Sequence, residues 1–231
     1  RALGYFLVDA AAPEASTVVD LSATAVTDNQ AGDDNWRASG GTLYNVDFAA
    51  GGASNLESAQ YKVTSDPGQA GTVLKDWTTI AAGINAAGYT ADWPVDFSAL
   101  RSSFTSVSAR GWNLSGTTTT LNDVFYVKKD TSPAIITNNQ AGDNTWRKEN
   151  SGVYNVDFAD NLSLLSKFQV RASTSPGGAG PFSPDWVDNA TNINSPSYSA
   201  DWPLLAGHWS LLQSGTNYIS VRAVDIAGNT S

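Results

Sequence analysis

The feature that most constrains how this chain folds is that its sequence contains the same pattern twice. The stretch NQAGDDNWR at residues 29–37 returns as NQAGDNTWR at residues 139–147, 110 positions later. Further pairs follow in the same order: LYNVDF (43–48) and VYNVDF (153–158), SDPGQAG (65–71) and TSPGGAG (174–180), YTADWP (89–94) and YSADWP (198–203). Ordered matches at a nearly constant offset indicate two tandem copies of one structural unit.

Each copy has the sequence pattern of a β-sandwich. Apolar and polar residues alternate in short runs, such as Tyr44, Val46 and Phe48, and clusters of Gly, Pro, Asn and Asp separate the runs. Alternation with a period of two predicts half-buried strands, and the clusters predict tight turns. Three of the 22 acidic residues are Glu, so the other 19 are Asp, which favours turns over helices. About seven such strands in each copy predict an all-β fold of two tandem immunoglobulin-like β-sandwich domains.

One segment of the second copy carries a resemblance to known proteins. The sequence YISVRAVDIAGN, Tyr218–Asn229, resembles the penultimate strand and following turn of immunoglobulin-like (fibronectin-III-like) tandem repeats in large bacterial surface proteins and adhesins. The resemblance implies a sandwich fold and a location at the cell surface. It covers only this segment, and it implies no particular ligand or activity.

The two copies differ in how they relate to the ends of the sequence. YFLVDAAAP at residues 5–13 aligns without a gap with FYVKKDTSP at residues 125–133, which contains the end of the last predicted strand of the first copy and the start of the linker after it. The second copy reaches Ser231 shortly after its AGN turn, before an equivalent strand. We therefore predict the following division: an N-terminal donor strand (1–13), a linker (14–28), a first immunoglobulin-like domain (29–131), and a second domain that lacks its last strand (132–231).

The predicted donor strand suggests a mode of assembly. Its apolar side chains are Leu3, Tyr5, Phe6, Leu7 and Val8. If this strand completes the open sandwich of the next copy, the result is a head-to-tail homopolymer, because such a contact does not close on itself. The chain is then a structural subunit of an extracellular filament, pilus or sheath. Two alternatives stay open: a spacer or binding segment of a giant cell-surface adhesin, and closure of the second domain by the donor strand of the same chain.

The residue types present give little support to catalysis. The sequence has no Cys and one histidine, His208, so thiolate chemistry and zinc sites lack ligands. No GxSxG motif accompanies the many serines. The acidic residues of YNVDF and ADWP recur in both copies, which favours a scaffold role over an active site. We predict that the chain is not an enzyme.

Calcium is the one candidate cofactor. Oxygen-bearing side chains cluster near the NQAG stretches, with Asp28, Asp33 and Asp34 in the first copy and Asn139 and Asp143 in the second. Calcium prefers such oxygen ligands. Asp and Asn next to Gly also form ordinary turns, in which their side chains bond to their own backbone. Both interpretations stay open.

Charge and hydropathy narrow the partners and the location. The net charge is −9 and the isoelectric point is near 4.4, the wrong sign for a nucleic-acid surface. No apolar run of the length that spans a membrane occurs, and we expect a secreted, cell-surface protein whose signal has been removed. The expected partner is another copy of the chain. A glycan or surface ligand, contacted by Trp112 or Trp209, is a further expectation.

Overall fold

A computed structural model describes residues 20–30, 34–140 and 142–231, and in these residues the chain is nearly all β. The predicted donor strand, residues 1–13, lies outside the described residues. We call residues 20–129 the first half and residues 130–231 the second half. No helix in the described part of the chain is long and apolar enough to cross a membrane.

The first half contains ten strands and a short 3-10 helix. The strands are β1 (Ala25–Asp28), β2 (Trp36–Arg37), β3 (Leu43–Tyr44), β4 (Val46–Ala49), β5 (Leu56–Asp66), β6 (Ala70–Ala86), β7 (Gly88–Tyr89), β8 (Trp93–Pro94), β9 (Ser103–Asn113) and β10 (Thr118–Lys129), and the 3-10 helix is Phe97–Ala99. They form a five-stranded sheet in the order β2-β10-β9-β5-β6, a three-stranded sheet in the order β1-β4-β7, and the pair β3-β8.

The second half repeats this arrangement with fewer strands. They are β11 (Ile135–Asn138), β12 (Val156–Ala159), β13 (Leu165–Ser173), β14 (Val187–Ala190), β15 (Ser197–Tyr198) and β16 (Tyr218–Asp225), with a 3-10 helix at Pro176–Gly178 and a short α-helix, α1, at Ala206–Trp209. Their sheets have the orders β11-β12-β15 and β14-β13-β16. Strands β11, β12, β13 and β16 correspond in order to β1, β4, β5 and β9.

Each half has its own buried apolar cluster. In the first, Phe48 of β4 packs with Val63 of β5 and Val107 of β9, so the two larger sheets contribute to one core. In the second, Phe158 of β12 stacks on Phe168 of β13 with ring centroids 4.4 Å apart. Every second side chain of a strand points to the same face of its sheet. The apolar residues that the sequence pattern predicts to be buried therefore lie in these cores.

The repeated motifs YNVDF and ADWP form the same contact in both halves. The indole Nε1–H of Trp93 donates to the carbonyl oxygen of Val46 at 3.2 Å, and that of Trp202 donates to Val156 at 3.1 Å. Both tryptophans are buried. A buried indole needs a hydrogen-bond partner, and the backbone of YNVDF supplies it. These motifs therefore recur because they build the scaffold.

Strand β1 lies within the segment that the sequence analysis assigned to the linker, residues 14–28. It pairs antiparallel with β4, with Val26 opposite Phe48, as β11 pairs with β12. This register makes Asp20 the counterpart of Asp130, at the same offset of 110 as the NQAG stretch. The sequence Ala-Val-Thr-Asp is too short to show a clear alternation, so its strand character comes from pairing with β4.

Candidate metal centre

Three acidic side chains meet where the two halves join. Oxygen atoms of Asp130, Asp160 and Asp225 all lie within 4.8 Å of one another. The three residues are buried, with 0%, 6% and 1% of their surface exposed. Within the described part of the chain, these three acidic residues form a group that is close enough to share a metal ion.

Each of these residues stands at the end of a strand. Asp130 directly follows β10, and its backbone N–H donates to the carbonyl oxygen of Arg37 at 3.0 Å. Asp160 directly follows β12, and Asp225 is the last residue of β16. The site therefore joins the last strand of the first half to two strand ends of the second half.

Turn hydrogen bonds hold the carboxylates in place. Asp160 Oδ1 accepts the backbone N–H groups of Leu162 at 3.1 Å and Leu164 at 2.8 Å. Asp130 Oδ1 accepts the N–H of Ser132 at 2.9 Å, and its Oδ2 accepts the N–H of Ser163 at 3.1 Å. An Asp at the end of a strand forms such turns readily. Here the turns also direct three carboxylates towards one point.

Asn229, from the AGN turn of the segment Tyr218–Asn229, links two of the acids. Its Nδ2 donates to Asp225 Oδ2 at 2.8 Å and to the backbone carbonyl oxygen of Asp130 at 3.0 Å. Its own N–H donates to Asp225 Oδ1 at 2.8 Å. The residue thus ties the end of β16 to the segment that connects the halves.

The electrostatics of the cluster call for a positive partner. Among the ion pairs formed within the described residues, none includes Asp130, Asp160 or Asp225. Burial raises the pKa of Asp225, and the charges of Asp130 and Asp160 raise it further, against the lowering effect of Asn229. Buried charges are stable when they are paired or bind a metal ion. Three buried carboxylates at one point, with no ion-pair partner among the described residues, therefore favour a bound cation.

A hydroxyl group provides independent support. Ser163 is fully buried, and its Oγ has no hydrogen-bond partner among the described residues. The backbone N–H of the same residue binds Asp130, so Ser163 belongs to the wall of the cluster. A buried polar atom without a partner costs free energy, and coordination of a cation by the hydroxyl oxygen would remove that cost.

The ligands and their spacing suit calcium. Calcium binds about six to eight oxygens at about 2.3–2.6 Å, so ligands on opposite sides of the ion lie roughly 5 Å apart. Magnesium usually keeps several of its waters and is held by one or two carboxylates, so a group of three carboxylates favours calcium. Zinc prefers nitrogen and sulfur ligands, and this group contains only carboxylates. Asp130, Asp160 and Asp225 would hold the ion, with Ser163 as a further oxygen donor.

The first half contains the equivalent three positions, but only one of them is acidic. Sequence offset and strand pairing make Asp20 the counterpart of Asp130, Ala50 that of Asp160, and Asn113 that of Asp225, because Asn113 pairs with Leu56 as Asp225 pairs with Leu165. One carboxylate therefore stands where the junction has three. The junction cluster is a departure from the repeat, so scaffold geometry alone does not require it.

In the first half, hydrogen bonds satisfy the polar groups at the counterpart positions. Asp20 accepts the N–H groups of Ser22 at 2.9 Å and Ser54 at 2.7 Å, and hydrogen bonds, chiefly with Ser22, lower its pKa to about 2. Ser54, the counterpart of Ser163, accepts the N–H of Ser115 with its Oγ at 3.1 Å. Asn113 Oδ1 accepts the N–H of Thr117 at 3.0 Å. Nothing at these positions calls for a cation.

The residues that the sequence analysis proposed for calcium have other roles. Asp28 Oδ1 accepts the N–H of Gln30 at 2.8 Å, as in an ordinary turn. Asp34 binds the hydroxyl of Tyr126 and the ammonium of Lys128.

The second NQAG stretch behaves in the same way. Asp143 accepts the N–H of Thr145 at 2.9 Å and pairs with Arg147 at 3.0 Å, and these bonds lower its pKa. Asn139 donates to the side chains of Asn155 and Asp157. None of these described residues belongs to the cluster at the junction. Asp33 lies outside the described residues, as do the donor-strand side chains Leu3, Tyr5, Phe6, Leu7 and Val8.

Sequence reasoning missed the three acids of the junction. They are 30 and 65 positions apart, and each looks like a turn residue on its own. A signal existed in the comparison of the copies, because Asp160 and Asp225 are acidic where Ala50 and Asn113 are neutral. Acids that break a repeat are better metal candidates than acids that follow it.

Comparisons with known proteins identify similar structures only at low similarity. No protein-family model matches the chain, and no curated relative matches it with significance. Similar structures include a tetra-tandem repeat in the extending region of a large adhesion protein, with 16% identity, a TM-score of 0.31, and coverage of 90% of this chain and 47% of that chain. They also include fibronectin(III)-like modules of CbhA from Clostridium thermocellum, with 12% identity, a TM-score of 0.36, and coverage of 90% and 89%.

These neighbours are the kinds of module that the segment Tyr218–Asn229 resembles. The chain spans about half the length of the adhesion-protein structure. At such TM-scores the similarity carries no argument about function.

Proposed function

We propose that the chain is a non-enzymatic structural segment of a cell-surface protein, in which two tandem immunoglobulin-like domains act as a spacer and calcium stiffens their junction. The observation that carries this proposal is the cluster of Asp130, Asp160 and Asp225. Its ligands come from the segment that connects the halves, Asp130, and from two strand ends of the second half, so an ion bound there would fix the connecting segment to the second half. A metal that only stabilised one sandwich would need no ligand from the connecting segment.

Calcium binding is expected to act on the angle between the halves. Without the ion, three like charges repel one another at the junction, which favours opening of the contact. With the ion, Asp130 is attached to Asp160 and Asp225, and the connecting segment loses its freedom to bend. Extracellular calcium modules work with dissociation constants of about 0.1–1 mM, so a site of modest affinity is filled outside the cell. A spacer in a surface array gains reach when its joints are stiff.

Calcium titration combined with small-angle X-ray scattering tests this proposal. We expect isothermal titration calorimetry to show one calcium ion bound per chain. In small-angle X-ray scattering, the maximum dimension of the chain should become better defined when calcium binds. The variant Asp225→Asn, which copies Asn113 of the first half, should lose binding by at least about tenfold, which corresponds to about 1.4 kcal/mol. The control variant Asp28→Asn should bind as the natural chain does. Equal binding by Asp225→Asn and the natural chain would contradict the proposal.

A second candidate function is a filament subunit that assembles head to tail by donor-strand complementation. The observation that favours it is the edge of β16, which the described residues leave largely uncovered. The two functions are compatible, because one concerns the acidic cluster at the junction and the other concerns the backbone edge of β16.

A further inference from the structure

Strand β9 is paired on both edges, whereas the described residues pair its counterpart β16 along its length on one edge. In the first half, β10 pairs with β9 over the length of both strands, from Thr118 opposite Trp112 to Lys129 opposite Ser103. In the second half, β13 pairs with one edge of β16. On the other edge the described residues contribute the bridge between Val224 and Thr230 and the hydrogen bonds of Ser231 with Ala223, and they place no paired strand along residues 218–222. An open edge presents backbone N–H and C=O groups that can pair with another strand.

The side chains of β16 are also less buried than those of β9. Pairing with β5 and β13 makes Val107 the counterpart of Ile219 and Ala109 that of Val221. Val107 and Ala109 are fully buried, whereas Ile219 and Val221 are half-buried. Tyr218 is 41% exposed. The missing cover therefore affects the apolar core as well as the backbone.

An aromatic residue of β10 fills the core of the first half at this place. Phe125 stacks on Tyr44 with ring centroids 4.1 Å apart and contacts Trp93 at 5.7 Å. The counterparts in the second half, Tyr154 and Trp202, contact each other at 5.5 Å. Tyr44 is 1% exposed, whereas Tyr154 is half-buried. A strand that covered β16 would complete this core with an apolar residue at the Phe125 position.

A second contact of β10 differs between the halves in the same way. In the first half Trp36 of β2 pairs in parallel with Lys128 of β10. Its counterpart in the repeat, Trp146, lies outside any strand and is 83% exposed. A strand placed as β10 is in the first half would therefore lie between Trp146 and the open edge of β16.

We propose that this position is occupied by the predicted donor strand, residues 1–13, of a second copy of the chain, which runs antiparallel to β16. The inference rests on the second candidate function and identifies its contact. In the ungapped alignment with residues 125–133, Tyr5 takes the place of Phe125, and Leu7 that of Val127. Phe125 and Val127 are 4% and 0% exposed, so the donor has an aromatic and an aliphatic residue where the core needs them.

The register gives a specific contact to test. In the first half Tyr126 of β10 stands opposite Ser106 of β9. Ser106 corresponds to Tyr218, since the two pair with the equivalent residues Thr64 and Ser173. Phe6 takes the place of Tyr126 in the alignment. The proposal therefore places Phe6 of one copy opposite Tyr218 of the next.

Disulfide trapping between two single-cysteine variants tests this contact, because the natural chain has no cysteine. Full-length Phe6→Cys and Tyr218→Cys are mixed, oxidised mildly and separated without reducing agent. We expect a covalent dimer of twice the 24.3 kDa chain mass, at a yield at least tenfold above that of either variant alone. The control mixture pairs Phe6→Cys with Leu21→Cys, at a residue that is 75% exposed and outside the donor segment.

Two further variants define the outcome. Adding Tyr5→Asp to Phe6→Cys should reduce the yield to the control level, whereas adding Val8→Lys, which copies Lys128 of β10, should preserve it. A yield in the mixture no higher than the control overturns the proposal. A disulfide that forms within the double variant Phe6→Cys/Tyr218→Cys but not in the mixture also overturns it, in favour of closure within one chain. Calcium binding by the same proteins reports separately on the junction.

Discussion

Neutralising one acid of the junction should change stability in opposite directions with and without calcium. The cleanest variant is Asp160→Asn. Both turn hydrogen bonds to Asp160 end on the same oxygen, Oδ1, so the amide carbonyl oxygen can accept them from Leu162 and Leu164 as the carboxylate does. The substitution therefore removes one charge and one strong metal ligand, while the local turn is preserved.

The magnitude follows from the separation of the carboxylates. Two unit charges within 4.8 Å of each other repel by at least about 3.5 kcal/mol at an effective dielectric constant of ~20. Asp160 faces two such charges, but the hydrogen bonds that its carboxylate accepts from Leu162 and Leu164 offset part of the repulsion. We expect Asp160→Asn to stabilise the metal-free chain by about 1–3 kcal/mol, in the range of single buried-charge effects. Calcium at 100 times its dissociation constant stabilises the natural chain by about 2.7 kcal/mol.

Thermal unfolding in chelator and in excess calcium measures both effects. In chelator the midpoint of Asp160→Asn should lie above that of the natural chain, by about 4–8 °C for each kcal/mol in a domain of this size. In calcium the order should reverse or the difference should vanish, because the variant binds the ion weakly. A variant that is less stable than the natural chain in both conditions would refute the repulsive cluster. If calcium does not change the unfolding midpoint of the natural chain, the metal centre is refuted.

Two further predictions concern the first half. Phe125→Ala should reduce the free energy of unfolding by about 3–5 kcal/mol in urea titrations, because it removes a buried aromatic ring from between Tyr44 and Trp93; a loss below 1 kcal/mol would show that the core collapses around the gap. Asp96 binds the Lys75 ammonium at 2.7 Å, and this bond, with that of Ser98, lowers the pKa of Asp96 to about 2. Because the folded pKa is below the unfolded one, the stabilisation is present above pH 4 and disappears as the pH falls towards 2. The pair is about one-third exposed, so solvent screening keeps its contribution small. Lys75→Met should flatten the slope of stability between pH 4 and 2, and an unchanged slope would contradict this cause.

Much of the fold could be predicted from the sequence, because its determinants are local and occur twice. The alternation in YNVDF indicates a strand with one buried face, and the structure places Val46 and Phe48 in a core. The ADWP tryptophans could be assigned to packing because they recur, and both are buried. Short strands such as β1 could not be recognised, since their pairing partner decides their conformation.

The candidate metal centre depended on the tertiary structure. Asp130, Asp160 and Asp225 end strands of different sheets, and only long-range pairing brings their oxygens within 4.8 Å. The local density of Asp and Asn near the NQAG stretches could not separate a metal site from ordinary turns, because such side chains readily bond to neighbouring backbone groups.

The amino-acid sequence by itself determined the repeat, the strands with a clear alternation and the residues of the cores, since side-chain periodicity and turn chemistry act over a few residues. The tertiary structure decided which turn acids are buried together, and which strand edge and which tryptophan the described residues leave uncovered. Burial and charge repulsion depend on distances between segments far apart in the chain, and folding sets those distances.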